Sequence, residues 1–514
     1  MNGAESLVRT LLAGGIDVCF GNPGTSEMHF LAALDRVPGM RGVLGLFEGV
    51  VTGAADGYAR MSGKPAATLL HLGPGLANGL ANIHNAGKAG TPMVNIVGDH
   101  ATAHRRYDAP LTSDIEGAAR PFSSFVRTAK DARSLGRDAA DAIAAATKPP
   151  GQIATLILPA DAAWSEGGEP APVPPPLRPK EPRPEAVEEA ARVLRSGEPA
   201  LILVSGRATS ARGLELAGRI ARKTGARLLA QGSNARIARG RGRVAVERIP
   251  YVVDQALALL KGLKHLILVG AKTPVAFFAY PGKPSLLSPA DAEGHLLASA
   301  EEDSIAALEG LALELGAFDV PPPVVEEPPP QPATGAMTPE SLGVSIGALL
   351  PENAIVADES VTTGRAFFAA TRAAAPHDWL ANMGGAIGLG MPLASGAAIA
   401  CPERKVVSLE ADGSALYTLQ ALWTEAREGL DVTTVLFSNR SYAILRYELF
   451  QLGAQNPGRK ALDMLDLSRP EIDWVGLAKS LGVPGARASD MAEFNRHFAA
   501  ALAQKGPFLL EVVL

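Results

Sequence analysis

Two proline-rich stretches constrain this chain most, because neither can contribute a packed core. Residues 165–184 (SEGGEPAPVPPPLRPKEPRP) and Val320–Ala333 (VPPPVVEEPPPQPA) have the composition of extended polyproline II and read as linkers. With the second linker drawn as 320–335, three blocks remain, 1–164, 185–319 and 336–514, each of domain size. A chain of 514 residues is also too long for one hydrophobic core.

Each block alternates short apolar runs with segments of helical spacing. In the first block the predicted strands are Ile16–Phe20, Val43–Phe47, Ala66–His71 and Met93–Val97, with helical patterns over Gly49–Met61 and Leu76–Lys88. The middle block offers Ala200–Val204, Arg227–Ala230 and His265–Val269. The last offers Ile355–Ala357, Lys405–Leu409, Val432–Phe437 and Phe508–Val513. Strands alternating with helices need crossover connections, so the pattern predicts an α/β chain of three consecutive doubly wound parallel-sheet domains. In such sheets the chemistry lies in the loops beyond the carboxyl ends of the strands.

A net charge of −5 argues against a nucleic-acid partner or an acidic membrane surface, and no apolar run reaches the length of a membrane span. Two cysteines, Cys19 and Cys401, give no disulfide framework. The N-terminal stretch Ala4–Ala13 has the pattern of an amphipathic helix, not of a signal peptide. A cytoplasmic, multidomain α/β protein is expected.

Two strand ends in the last block carry a pair of hard oxygen donors. Lys405–Leu409 runs into Glu410-Ala411-Asp412-Gly413-Ser414, and Val432–Phe437 into Ser438-Asn439-Arg440-Ser441-Tyr442. A crossover helix between them would set the Asp412 carboxylate beside the Asn439 amide oxygen, as Mg²⁺ prefers, while Gly413 lets backbone N–H groups approach a phosphate. Taken singly, Asp412 also reads as a helix cap and Asn439 as a turn residue. In the first block Glu48 opens a stretch of small and apolar residues, Gly49 to Ala59. A carboxyl group so placed suits proton transfer, and equally suits a helix start.

These segments resemble the thiamine-diphosphate enzymes that include acetolactate synthase, pyruvate oxidase and benzoylformate decarboxylase. The family's GDG and NN signature stands here as Ala411-Asp412-Gly413 and Ser438-Asn439, with the first glycine and the first asparagine replaced. The resemblance implies a pyrimidine-binding first domain, a middle domain and a diphosphate-binding third domain. It implies Mg²⁺ held by Asp412, Asn439 and the Ser441 carbonyl, and the diphosphate near Gly413, Ser414, Tyr442 and the Val361-Thr362 loop. That loop, following Asp358-Glu359-Ser360, also reads as a helix cap.

By the same resemblance Glu48 is the cofactor-activating glutamate, and Ile387 in Gly384–Gly390 is the residue that bends the cofactor. The glycine run does not follow the dinucleotide GxGxxG order, and no clear strand is predicted before it. The loop Gly21-Asn22-Pro23-Gly24-Thr25-Ser26-Glu27 is similar to a pocket-lining loop of benzoylformate decarboxylase, with Thr25 at that enzyme's serine. His71 stands at the same interval from the glutamate as an active-site histidine there, with Asn78 beyond it. Thr25, Glu48 and His71 are thus the expected catalytic set, with Pro23, Gly24 and Asn78 beside the cofactor. The family places its cofactor between subunits, so a homodimer or homotetramer is implied.

The outcome of the reaction is less constrained. The adjacent histidines of pyruvate decarboxylase are missing. His100 and His104 are the nearest candidates, in a predicted loop where they read as an HxxxH metal pair or as plain loop residues. Pro274–Gly282 holds no histidine where benzoylformate decarboxylase has its second, and Leu445 replaces a further acid of pyruvate decarboxylase. Fewer proton donors favour a longer-lived carbanion, hence a 2-oxo acid decarboxylase/carboligase of acetolactate synthase type yielding an acyloin or acetohydroxy acid. Aldehyde release of benzoylformate decarboxylase type and a non-catalytic regulatory homologue stay open. The middle block shows no flavin pattern, so no bound FAD is expected. Its arginines 236, 239, 241 and 243 read as a solvated loop, with an anion site as the alternative.

Overall fold

The computed structural model describes residues 1–454 and 456–514. The first six strands are β1 Val18–Gly21, β2 Arg41–Leu44, β3 Ala66–Leu70, β4 Met93–Asp99, β5 Phe125–Thr128 and β6 Ile153–Pro159. They form one parallel sheet in the order β2-β1-β3-β4-β6-β5. The next six are β7 Ala200–Val204, β8 Arg227–Ala230, β9 Ile237–Arg239, β10 Glu247–Arg248, β11 His265–Val269 and β12 Glu293–Ala298. All but β9 make a second parallel sheet, β10-β8-β7-β11-β12. The last six are β13 Ile355–Glu359, β14 His377–Ala381, β15 Val406–Ala411, β16 Val432–Ser438, β17 Gly485–Ala488 and β18 Phe508–Val513. Their sheet runs β17-β18-β16-β15-β13-β14-β9, parallel except for β9. The α/β reading holds, because central strands such as β3, β7 and β16 are buried along their whole length, as parallel sheets covered on both faces require.

Three expectations are corrected. The apolar run Val43–Phe47 is not one strand: β2 ends at Leu44, and Phe47 is already the N-cap of the helix Glu48–Ser62. A strand does precede the Gly384–Gly390 loop, namely β14. Its His377-Asp378-Trp379 start looks polar, yet all three are buried. Asp378 is neutralised by Arg236 and Arg404, and burial pushes His377 down to about 3, so its ring is neutral.

The arginine cluster is not simply a solvated loop, although Arg236 and Arg241 are exposed. It fastens β9 of the middle block to the third sheet. Arg239 is buried, its guanidinium over the Phe368 ring and bonded to the Phe368 carbonyl and Thr371. Arg243 donates to the His377 carbonyl at 2.7 Å.

The proline-rich stretches are largely free of helix and strand, but they are tied down. Lys180 bridges to Glu302 and Val324 to Val244, and Pro184 is the first residue of the helix Pro184–Arg195.

The first and third blocks share a core. Helix Glu48–Ser62 lies against helix Gly390–Ala400, with Val51, Ala54 and Tyr58 packed among Leu389, Leu393 and Ala397. The backbones come so close that a methyl at Gly57 would sit 2.0 Å from the Leu393 carbonyl oxygen. One at Gly396 would sit 1.9 Å from that of Ala54. Beside this contact Arg60 pairs with Asp56 at 2.5 Å, both side chains buried, and donates to the Ala381 carbonyl of β14. Removing one member of such a buried pair costs about 3–5 kcal/mol.

Candidate active site

At the carboxyl edge of the first sheet, side chains hold side chains. Glu48 is buried at the start of its helix, and both its oxygens accept amide N–H bonds. Asn22, just beyond β1, donates to Oε1 at 3.2 Å, and Asn78 donates to Oε2 at 3.0 Å. The carboxylate is therefore not a lone group among apolar neighbours.

Close by, Glu27 is fully buried. Its Oε2 accepts from the Gly24 backbone at 2.7 Å and lies 2.8 Å from His71 Nδ1, while its Oε1 accepts from Ser26 at 2.5 Å. A carboxylate only accepts, so His71 carries its hydrogen on Nδ1 and leaves Nε2 for chemistry. The fit depends on two glycines. A methyl at Gly98 would lie 1.6 Å from Glu27 Oε1, and one at Gly24 would lie 2.1 Å from His71 Nδ1.

Thr25, Ser26, His71, His100, His104 and Trp164 line a cavity of about 240 Å³ at this edge. Thr25 and His71 are thus brought together as expected. The His100 and His104 rings are 5.4 Å apart between centroids, and His100 Nε2 is buried without a partner.

At the carboxyl edge of the third sheet, backbone holds side chains. Ala411 of β15 pairs with Phe437 of β16, so Asp412 and Asn439 leave neighbouring strands nearly level. Asp412 Oδ1 accepts from the Gly413 N–H at 2.8 Å and Oδ2 from the Arg440 N–H at 2.6 Å. Burial pushes the Asp412 carboxyl up to about 6, against these two amides, which favour its charge. Asn439 Oδ1 accepts from Ser441 N–H at 3.0 Å, and the Ser441 carbonyl from Ala443 at 2.8 Å. The Tyr442 ring closes over Gly413, where a methyl would lie 2.6 Å from it. Ser414 is buried one residue further into the helix.

Glu359, at the end of β13, organises the Gly384–Gly390 loop. Its Oε2 accepts the N–H groups of Gly388, Leu389 and Gly390 at 2.9–3.0 Å, and Asn382 bonds its Oε1. Asp358 beside it accepts from Ser360 and Trp379, so neither acid points to a phosphate role. Val361 follows with a positive φ of 49° and an exposed side chain, and Thr362 starts the next turn.

The two edges meet through two asparagines of the helix Leu72–Ala89. Asn82 Nδ2 donates to the Gly49 carbonyl at 2.8 Å and to the Gly388 carbonyl at 3.0 Å. Asn85 donates to Ala386 and accepts from it. Asn82 thus ties Gly388, next to the half-buried Ile387, to the first turn of the Glu48 helix. From the middle block, Phe277 rather than a histidine approaches Gly385, where a methyl would meet its ring at 2.7 Å. Leu445 is exposed on the helix Ala443–Gln451.

Glu27, Asn22, Asn82, Asn85 and Glu359 were not singled out by sequence reasoning. Glu27 and Asn22 lie within the recognised loop, and the spacing Gly24 to Glu27 of a capping turn was the available signal.

A buried, amide-held carboxyl group at one sheet edge and a backbone-lined set of oxygen donors at another are the arrangement of an α/β enzyme. Residues 1–118 match the family described as "Thiamine pyrophosphate enzyme, N-terminal TPP binding domain", and residues 362–512 match its C-terminal TPP binding domain. The Mycobacterium tuberculosis protein named "Putative acetolactate synthase large subunit IlvX" is 54% identical over all of this chain and 99% of its own. Benzoylformate decarboxylase of Pseudomonas aeruginosa is 30% identical, with 97% of this chain and 96% of its own covered. Among solved structures, the thiamine diphosphate-dependent 4-hydroxybenzoylformate decarboxylase of Rhodococcus jostii RHA1 superposes with a TM-score of 0.85 at 25% identity, covering 99% of this chain and 98% of its own. The chain belongs to the thiamine pyrophosphate enzyme family, and thiamine diphosphate is its cofactor. No helix among the described residues is long and apolar enough to cross a membrane.

Proposed function

We propose that this enzyme decarboxylates a 2-oxo acid with thiamine diphosphate and Mg²⁺ and joins the remaining acyl unit to a second carbonyl compound, in the manner of acetolactate synthase. The observation that carries this reading is Glu48, a buried carboxyl group held by two amides beside the Ile387 loop. When bound, thiamine diphosphate would supply the carbanion chemistry and the electron sink that decarboxylation of a 2-oxo acid requires.

The donor set fits that group: a buried carboxylate, an amide oxygen and a backbone carbonyl suit Mg²⁺ and leave positions for phosphate oxygens. Asp412, Asn439 and the Ser441 carbonyl would hold the metal, and Gly413, Ser414, Tyr442, Val361 and Thr362 the diphosphate. Pro23, Gly24 and Asn78 would flank the pyrimidine end, and Ile387 would press beneath the cofactor. Glu48 gives and takes the proton at the pyrimidine nitrogen. His71, oriented by Glu27, presents Nε2 to a substrate beside Thr25. Phe277 in place of a second histidine leaves one proton donor fewer beside the Gly384–Gly390 loop, which supports joining over aldehyde release.

A second reading, aldehyde release of benzoylformate decarboxylase type, is favoured by the histidines in the 240 Å³ cavity. A homodimer or homotetramer with sites between subunits, in the cytoplasm, belongs to the same proposal.

The test is CO₂ release from pyruvate, 2-oxobutyrate and benzoylformate, with identification of products. Release that requires both cofactors and yields acyloin or acetohydroxy acid supports joining, and free aldehyde supports the second reading. Saturable cofactor binding without turnover on any 2-oxo acid would overturn both in favour of a regulatory homologue.

A further inference from the structure

The middle sheet carries a cluster that the cofactor chemistry does not use. His265 opens β11 and His295 lies on the edge strand β12. In the parallel pairing His265 stands opposite Glu293, and His295 opposite Ile267, so the two histidines and Glu293 share one face. His265 Nδ1 and His295 Nε2 face each other at 3.1 Å. The other nitrogen of each ring meets a carboxylate: His265 Nε2 lies 3.0 Å from Glu198, and His295 Nδ1 lies 2.7 Å from Glu189. Both rings are largely buried, at 12% and 7% side-chain exposure.

Carboxylates accept hydrogen bonds and do not donate them, so both outer nitrogens carry hydrogen. A neutral imidazole has a single N–H, which leaves two lone pairs pointing at each other across 3.1 Å. That contact is repulsive unless a positive charge is shared between them. A single proton on one ring relieves it; a metal ion relieves it using both lone pairs. Glu293 Oε2 is 4.0 Å from His295 Nε2, and the three donor atoms lie within 4.8 Å of one another.

We propose that His265 Nδ1, His295 Nε2 and Glu293 form a binding site for a borderline divalent ion of the zinc type, with Glu198 and Glu189 orienting the two rings. Two imidazole nitrogens on a tetrahedral ion with bonds of about 2.0–2.1 Å sit roughly 3.3 Å apart, close to the separation present. Carboxylates on the far nitrogens of metal-bound histidines are the usual supporting arrangement. Glu293 is 74% exposed, so its side chain is free to move onto the ion. Imidazole donors select against Mg²⁺ and Ca²⁺, which separates this site from the cofactor's metal. The site lies at the amino end of β11, whereas the cofactor residues lie at carboxyl ends. There the ion ties the edge strand β12 and, through Glu189, the helix Pro184–Arg195 to the centre of the sheet.

The experiment titrates Zn²⁺ into tag-free, chelator-treated holoenzyme kept in excess thiamine diphosphate and Mg²⁺, against a chromophoric chelator. One Zn²⁺ per chain is expected, with affinity reduced at least about 100-fold in His265→Ala and in His295→Ala and turnover unchanged. No stoichiometric binding, or binding that both variants retain, overturns the site. Should those variants fail to fold, X-ray absorption of the Zn²⁺-loaded wild type decides: two imidazoles in the ion's shell support it, and an all-oxygen shell overturns it.

Discussion

The two sheet edges proposed to face the cofactor are built on opposite principles. At the first sheet each reactive side chain is held by another side chain: Asn22 and Asn78 hold Glu48, and Glu27 holds His71. At the third sheet the backbone does the holding, through Gly413 and Arg440 on Asp412, Ser441 on Asn439 and three successive amides on Glu359. A site fixed by side chains is retuned by single substitutions, whereas one fixed by backbone tolerates changes of identity around it. That is why the third block departs from its family's signature at Ala411 and Ser438 without losing the arrangement. Ala411 sits in ordinary extended geometry, φ −87° and ψ 144°, which any residue adopts.

The sharpest contrast comes from removing one carboxylate at each edge. Glu48→Gln is expected to lower turnover by about 10²–10⁴-fold while cofactor affinity stays within a few-fold. Asp412→Ala should lose activity because the cofactor is no longer retained. Steady-state CO₂ release paired with equilibrium dialysis of thiamine diphosphate separates the two, and equal cofactor loss in both would break the comparison.

Next in size is Glu27→Gln, which removes the charge that orients His71. It should cost about 10–100-fold in kcat/KM, the consequence of a buried polar group losing its partner. Adding His71→Ala to it should cost little more, because the pair acts as one unit; additive losses in the double-mutant cycle would show two independent residues.

A smaller, pH-dependent effect belongs to the third edge alone. The Asp412 carboxyl holds its proton up to about 6, above its ordinary value of 3.8, and a metal binds only the anion. Mg²⁺-dependent cofactor affinity should therefore be level above pH 6 and fall by roughly tenfold per unit below it. A fluorescence titration of cofactor at several pH values checks this, with Asp412→Asn expected to flatten the profile.

The smallest expected effect is Ala411→Gly, which restores the family's residue. Turnover should change by less than about twofold, with a stability loss of about 0.5–1 kcal/mol from the added backbone freedom, read by denaturant unfolding. A large gain in activity would mean that side-chain identity governs this edge after all.

Much of this was legible in the sequence where one local signal sufficed. The strands β7, β8, β11 and β18 are short, mainly apolar runs and fall where the pattern puts them. Asp412 and Asn439 follow directly from strand ends, and Glu48 opens the helix a short turn beyond β2. What stayed hidden depends on partners distant in the chain. The start of β14 looks polar until Arg236 and Arg404 are seen on Asp378. The short β9 lies in an arginine-rich stretch whose charges are absorbed by aromatic faces and carbonyls. Glu27 and His71 lie far apart in sequence, as do His265 and His295, and no periodicity joins either pair.

The insertion of β9 also sets where this protein can be cut. A fragment starting after the second proline-rich stretch would lack Ile237–Arg239 and present β14 as a bare sheet edge, with its N–H and C=O groups open to another chain. Such edges recruit one another, so that fragment should aggregate on expression. Supplying a peptide that spans residues 234–244 should keep it dispersed.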